Sequence, residues 1–84
     1  MSLSFGEALE EMEIGCKVAR SGWNGKGMFL FMIAGGAWDF ECDIDGVDGL
    51  NTLPFICMKT ADGKLVPWLA SQTDMIASDW MVIS

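Results

Sequence analysis

The chain has no histidine, and only five lysines and arginines stand against twelve aspartates and glutamates, leaving a net charge of -7. Without histidine it lacks the commonest general base and every Ser-His or Cys-His nucleophile pair. A zinc site is disfavoured for the same reason, and because Cys16, Cys42 and Cys57 form no Cys-x-x-Cys pair. The three thiols read as small, reduced, partly buried side chains. So few bases on an acidic chain argue against duplex nucleic acid, which is held mainly by Lys and Arg on phosphates, and against anionic membrane surfaces. Long apolar runs are missing too. The longest, Met28–Ala34, is far too short to cross a bilayer, and the N-terminus shows no secretory leader pattern. A place in the cytoplasm is expected.

Apolar content, in contrast, is plentiful. Hydrophobic residues make up 51 % of 84 residues, with a mean hydropathy of +0.33. A chain of this size makes one domain, residues 1–84, with no repeat and no linker. Its interior is too small to hide so much apolar surface, so part of it is expected in a subunit interface or a ligand pocket. A homo-oligomer follows as the expectation.

Local signals define the elements. Ser4 with Glu7 forms a capping box, and Phe5, Ala8, Leu9 and Met12 recur at helical spacing behind it. Glu10, Glu11 and Glu13 fall on the water side, and Gly15 supplies a helix stop. Lys17–Arg20 reads as a short strand, followed by the glycine-rich loop Ser21–Gly27. Met28–Ile33 is apolar on both alternating sets, which predicts a central strand covered on both faces. Trp38–Asn51 carries five acids and no base. Its Asp-Ile-Asp-Gly-Val-Asp-Gly run lacks the ligands and terminal Glu of a calcium loop, so a solvated acidic loop is expected rather than a metal site. Pro54 marks re-entry into a strand over Phe55–Thr60. Asp62-Gly63 then predicts a type I′ hairpin turn into Lys64–Trp68, with Pro67 confining the second strand to an edge. Ser71 and Asp74 form a second capping box for a short helix with Met75, Ile76 and Ala77 on its apolar side, and Trp80–Ile83 closes as a strand. The fold class is α+β: a small antiparallel sheet with an N-terminal helix and a short C-terminal helix.

All five bases fall in two neighbourhoods. Lys17, Arg20 and Lys26 surround Trp23-Asn24-Gly25, and Lys59 and Lys64 flank Asp62-Gly63. Trp23 and Trp68 lie in or next to these stretches. Aromatic faces stack on bases, and cations with loop N–H groups hold phosphates, so a nucleotide-sized anion site is one reading. The plainer reading stands beside it. Trp23 and Trp68 taken alone read as core, Lys26 and Arg20 as solvated charges, Asn24 as a turn residue and Asp74 as a helix cap that repels phosphate.

The segments SFGEALEEMEIGCKVARSGWNGKGMFLF and MKTADGKLVPWLASQTDMIASDW closely resemble the phage Thoeris anti-defence proteins of the second type. The resemblance covers roughly Phe5–Phe31 and Phe55–Val82, whereas Ile33–Pro54 carries no match. It implies a molecular sponge that binds a cyclic ADP-ribose isomer, and in some members cyclic oligonucleotides, in pockets between the protomers of a homotetramer in the cytoplasm of the bacterial host. It implies neither cleavage of the ligand nor a cofactor. Carried onto this chain, the resemblance makes Phe5, Arg20, Trp23, Asn24, Lys26, Trp68, Ser71, Gln72 and Asp74 the ligand-binding candidates. By residue type, Trp23 and Trp68 would stack on bases, Lys26 and Arg20 would meet pyrophosphate, and Asn24, Gln72 and Asp74 would read ribose hydroxyls or base edges. Two competing readings remain: a metal-dependent nucleotide hydrolase using Asp62, Asp74 or Asp79, and a structural or protein-interaction module of a phage.

Overall fold

The computed structural model describes residues 2–23, 26–36, 45–47 and 52–83. Helix α1 (Phe5–Glu13) starts as its capping box dictates. Glu7 N donates to Ser4 Oγ at 3.2 Å, and Ser4 N donates to Glu7 Oε1 at 2.9 Å. Past the end of the helix Gly15 adopts a positive φ of 100°, a conformation open to glycine, and its N–H donates to the Met12 carbonyl at 3.0 Å.

Five strands follow as one antiparallel sheet: β1 (Val18–Arg20), β2 (Phe29–Ile33), β3 (Phe55–Lys59), β4 (Leu65–Pro67) and β5 (Trp80–Val82), in the order β4-β3-β2-β1-β5. The chain meanders from β1 to β4. It then crosses back through the short helix α2 (Gln72–Ile76), and β5 pairs with β1 at the opposite edge. Pro67 lies on the edge strand β4, as its missing N–H requires. The α+β reading, a small antiparallel sheet with an N-terminal helix and a short C-terminal helix, is the observed fold.

Residues directly opposite one another across the sheet share a face. Val18, Leu30, Met58 and Val66 lie in one such row, with Met32 and Ile56 in the next. This face packs beneath α1. Ala8, Met12, Val18, Leu30 and Trp80 are all at most 1 % exposed and make the core. The other face carries Phe29, Phe31, Ile33, Phe55, Cys57, Leu65 and Pro67.

Two expectations are corrected here. First, β2 is central, but only one of its faces is covered: Phe29, Phe31 and Ile33 remain half-exposed, because α1 packs on the other side. Two apolar sets on one strand need two covering layers, and this protomer has one. Second, the hairpin turn is not type I′. Gly63 has a φ of 87°, but no non-glycine residue among those described has a positive φ, so Asp62 does not. Gly63 N donates to the Thr60 carbonyl at 3.0 Å and Thr60 N to the Lys64 carbonyl at 2.8 Å. This is a three-residue connection with its left-handed position at Gly63, the common arrangement of a type I turn with a glycine bulge. Thr60 Oγ1 stabilises it by donating to Asp62 Oδ1 and accepting from Lys64 N at 3.0 Å. The apolar side of α2 also differs from what its composition suggests. Met75 and Ile76 are 48 % and 82 % exposed, and it is Ala77, just past the helix, that packs against the core.

Most of the acidic stretch lies outside the described residues; Asp45, Gly46 and Val47 within it are exposed. Its two ends are joined at Gly36, whose N–H donates to the Thr52 carbonyl at 2.9 Å.

Candidate functional site

The crossover from β4 to β5 carries Trp68 over the α1 face, where it meets Trp23 from the β1–β2 loop and Phe5 from the first turn of α1. Trp80 is the floor of this cluster. Its ring is completely buried, and its centroid lies 5.3 Å from Phe5, 5.4 Å from Trp23 and 6.1 Å from Trp68. The Trp23 and Trp68 rings meet Trp80 nearly edge-on, at 79° and 84°, the arrangement aromatic quadrupoles favour. Trp23 and Trp68 are themselves half-buried. The core reading and the stacking reading therefore each describe part of these side chains: one part packs inward and one part meets solvent.

A polar network stands beside the rings. Arg20 Nε donates to Asp79 Oδ1 and Arg20 Nη1 to Asp74 Oδ1, each at 2.8 Å. Asp74 also caps α2, accepting from Ser71 N at 3.3 Å and Ser71 Oγ at 2.8 Å through Oδ2. The Asp74 carbonyl accepts from Trp80 Nε1 at 3.0 Å, which ties the network to the aromatic floor. Asp79 Oδ2 accepts from Gly22 N at 3.0 Å, and Ser21 N donates to the Asp79 carbonyl at 3.0 Å. A Cβ at Gly22 would lie 3.0 Å from the Asp79 carboxylate, tight enough that the carboxylate would have to shift. Arg20 and Asp79 together join the Trp23 loop to the start of β5, and Asp74 joins both to α2.

The electrostatics follow from this geometry. The hydrogen bonds it donates to Asp79 and then to Asp74 push the Arg20 pKa up. The Arg20 hydrogen bond holds Asp79 below the usual carboxylate range. Partial burial raises the Asp74 pKa, but the Ser71 hydroxyl and Arg20 together outweigh it, and the net shift is downward. The guanidinium is thus matched by two carboxylates, and its charge is not free for a pyrophosphate. The N-terminus of α2 is likewise occupied by its own Asp74.

Of the nine candidates, Phe5, Trp23 and Trp68 come together in the ring cluster, and Arg20, Ser71 and Asp74 form the network next to it. Gln72 is exposed at the first position of α2. Lys26 is exposed at the end of the β1–β2 loop, with no ion-pair partner among the described residues. Asn24 lies outside the described residues. The chain matches the model of the Thoeris anti-defense 2-like domain over residues 3–83. This chain belongs to that family. A relative named Thoeris anti-defense 2, from Bacillus phage SP01, is 45 % identical over 85 residues, covering 98 % of this chain and 96 % of the relative. The segment 33–54, where the motifs carry no resemblance, is inside the span matched by the Thoeris anti-defense 2-like model.

Asp79 and Trp80 are the residues that sequence reasoning missed in this member of the Thoeris anti-defense 2-like family. Trp80 reads from sequence only as the start of a strand, and Asp79 only as a carboxylate of the hydrolase reading, not as a partner of Arg20. Asp79 finds its partners 57 to 59 positions away, a separation for which no local motif exists. The carboxylates of the hydrolase reading do not form one group: Asp62 is engaged by Thr60 within the hairpin turn, whereas Asp74 and Asp79 share Arg20. Among the described residues no three His, Cys, Asp or Glu side chains converge to hold a metal ion. Among them, too, no helix is long and apolar enough to cross a membrane.

Proposed function

We propose that this chain acts in phage anti-defence by binding and sequestering a cyclic nucleotide signal, a cyclic ADP-ribose isomer or a related cyclic oligonucleotide, without cleaving it. Family membership supports the anti-defence role. The observation that carries the binding mode is the pair of half-exposed rings, Trp23 and Trp68, 6.5 Å apart over the buried Trp80 and beside exposed hydrogen-bonding groups at Ser71 and Gln72. Rigidly backed aromatic faces suit base stacking, worth ~1–3 kcal/mol per base. Lys26 is the cation with charge free for phosphate at this end of the molecule, and Asn24 and Gln72 supply amide donors and acceptors for ribose or base edges. Arg20, Asp74 and Asp79 serve as a brace that fixes the loop and helix carrying these groups. The large exposed apolar residues Leu53, Leu69 and Ile76, 83 %, 91 % and 82 % exposed, support self-association, with a homotetramer as the assembly. The setting is the host cytoplasm, where a soluble signal would be met.

The test is recovery of the ligand. The protein is incubated with the cyclic ADP-ribose isomer, the free compound is measured, and the sample is then heat-denatured and analysed by mass spectrometry. Depletion before heating and recovery of the unmodified compound afterwards are expected. Linear ADP-ribose in excess of protein would mean turnover, and the enzyme reading would replace this one. Trp68→Ala is expected to weaken binding at least several-fold with the fold retained by circular dichroism. Sedimentation at micromolar concentration checks the assembly; a clean monomer would remove any pocket shared between protomers.

A further inference from the structure

Trp23 and Trp68 are anchored differently. Trp68 is sewn to the sheet: its N–H donates to the Ile56 carbonyl of β3 at 2.9 Å. Trp23 lies outside every strand, and its N–H turns back within its own loop, to the Arg20 carbonyl at 3.2 Å. Asp79 ties the backbone of that turn to the aromatic floor. Its carbonyl accepts from Ser21 N at 3.0 Å, and its Oδ2 accepts from Gly22 N at 3.0 Å and from the Ser21 hydroxyl at 3.5 Å. Oδ1 is held by Arg20 Nε at 2.8 Å. Trp80 follows directly, its backbone fixed by two hydrogen bonds with Leu3, at 2.7 and 3.1 Å. The carboxylate is thus an acceptor with two sides, one oxygen for β1 and one for the loop, on a rigid base. Gly22 is shaped to it. Its φ is not positive, so glycine is not there for a left-handed backbone. A Cβ at Gly22 would meet Asp79 Oδ2 at 3.0 Å and Arg20 Nη2 at the ordinary contact distance of 3.9 Å. The space a side chain would need is taken by the Asp79 carboxylate.

We infer that Asp79 is a positioning residue of the ring site, acting through the Gly22 N–H to set where Trp23 stands over Trp80, and that the Asp79–Gly22 contact therefore governs affinity for the ligand. This rests on the reading that Trp23 and Trp68 stack on a nucleotide. A ring already in place adds its stacking with no ordering cost at binding. A released ring must be ordered when the ligand arrives, and affinity falls by the fraction of molecules in which it is in place. Charge makes the inference specific. A carboxylate beside an anionic ligand repels it, so by charge alone the loss of Asp79 would tighten binding. Positioning predicts the opposite sign. Asparagine is no substitute here. Its amide offers one acceptor oxygen, and its NH2 would face either Gly22 N–H or Arg20 Nε–H, donor against donor.

The test is a double-variant cycle, read by calorimetric titration with the cyclic ADP-ribose isomer and by the indole N–H resonance of Trp23 in the free protein. Asp79→Asn and Asp79→Ala should each weaken binding about fivefold or more and move the Trp23 resonance. The fold should be retained by circular dichroism, because the bond from Ser21 N to the residue-79 carbonyl remains. Gly22→Ala should weaken binding in the same way, by pushing the carboxylate aside. It keeps every charge, and so tests the same contact even where Asp79→Ala does not fold. In the Asp79→Ala background it should cost nothing further, since the atom it crowds is gone. Two merely structural losses would instead add. The proposal is overturned by equal or tighter binding in Asp79→Asn, by additive losses in the double variant, or by an unmoved Trp23 resonance. Trp68→Ala separates its failure from that of the sequestration reading. If Trp68→Ala weakens binding and the Asp79 variants do not, positioning alone fails. If the wild type takes up no ligand, the sequestration reading fails, and the Trp23 resonance by itself decides whether Asp79 holds the ring.

Discussion

Leu30 and Phe29 are neighbours in β2, yet Leu30 is fully buried beneath α1 while Phe29 stands half-exposed on the far side. Similar strands, similar hydrophobicity and a shift of one residue give two surfaces of different kinds. On the α1 side the part-buried polar groups are matched: Arg20 by Asp74 and Asp79, and Trp80 Nε1 by the Asp74 carbonyl. On the open side Lys17 and Lys59 sit over an aromatic ring with no ion-pair partner among the described residues. A charge within a packed face must be paired, because leaving it unpaired costs desolvation without compensation; a charge at an open rim faces no such demand. The α1 face therefore holds the fully buried core of Ala8, Met12, Val18, Leu30 and Trp80, whereas on the other face Phe29, Phe31 and Ile33 stay half-exposed.

The largest effect that would break this contrast is at Trp80. Trp80→Ala removes the floor shared by Phe5, Trp23 and Trp68 and should cost ~3–5 kcal/mol, a large part of the stability of a small domain, measured by urea unfolding. A loss below about 1 kcal/mol would mean that the face is not packed as described.

Arg20→Met comes next, and its signature is in the pH dependence. Asp74 and Asp79 have folded-state pKa values below their unfolded values. Between those values the unfolded chain binds more protons, so the stabilisation is fully present above about pH 4 and is lost as pH falls through the lower, folded values. Urea midpoints of the native protein should drop over this acidic window. In Arg20→Met the midpoint should be lower at neutral pH and the acidic drop shallower, since the carboxylates lose the cation that lowers their pKa values. An unchanged profile would show that the brace does not couple the loop to α2.

Phe31→Ala sharpens the comparison from the other side. Its ring is only half-buried, so the protomer should lose about 1–2 kcal/mol, well short of the Trp80 loss. A loss as large as that for Trp80→Ala would mean the open face is sealed in solution. Smallest of all, Lys59→Gln should change stability by no more than ~1 kcal/mol, the scale of one exposed cation–π contact, as read from thermal melting.

Local elements were legible because their causes are local. Ser4 with Glu7 and Ser71 with Asp74 announce two helix starts within four residues each, and both capping boxes form. Gly63 had to be the positive-φ residue of the hairpin. The turn type was less accessible, because Asp62-Gly63 satisfies two hairpin connections equally and only the register of Lys59 against Leu65 selects the bulged one. The candidate site was legible as a set of residue types but not as a set of roles. Trp23, Trp68 and Phe5 do gather, yet nothing near Arg20 in sequence shows that Asp74 and Asp79 will neutralise it from 54 and 59 positions away.

By itself the sequence determined the acidic balance, the helix caps, the strands and the edge position of Pro67, since each depends on composition or on interactions within a few residues. The tertiary structure decided which cations stay free, which tryptophan forms the floor and which sheet face stays open. Those outcomes depend on strand order and on the path of the β4–β5 crossover, which place residues 30 to 60 positions apart in contact. Hydrophobic periodicity states that a face will seek cover, but whether a cover exists is a matter of how many layers the whole chain can build.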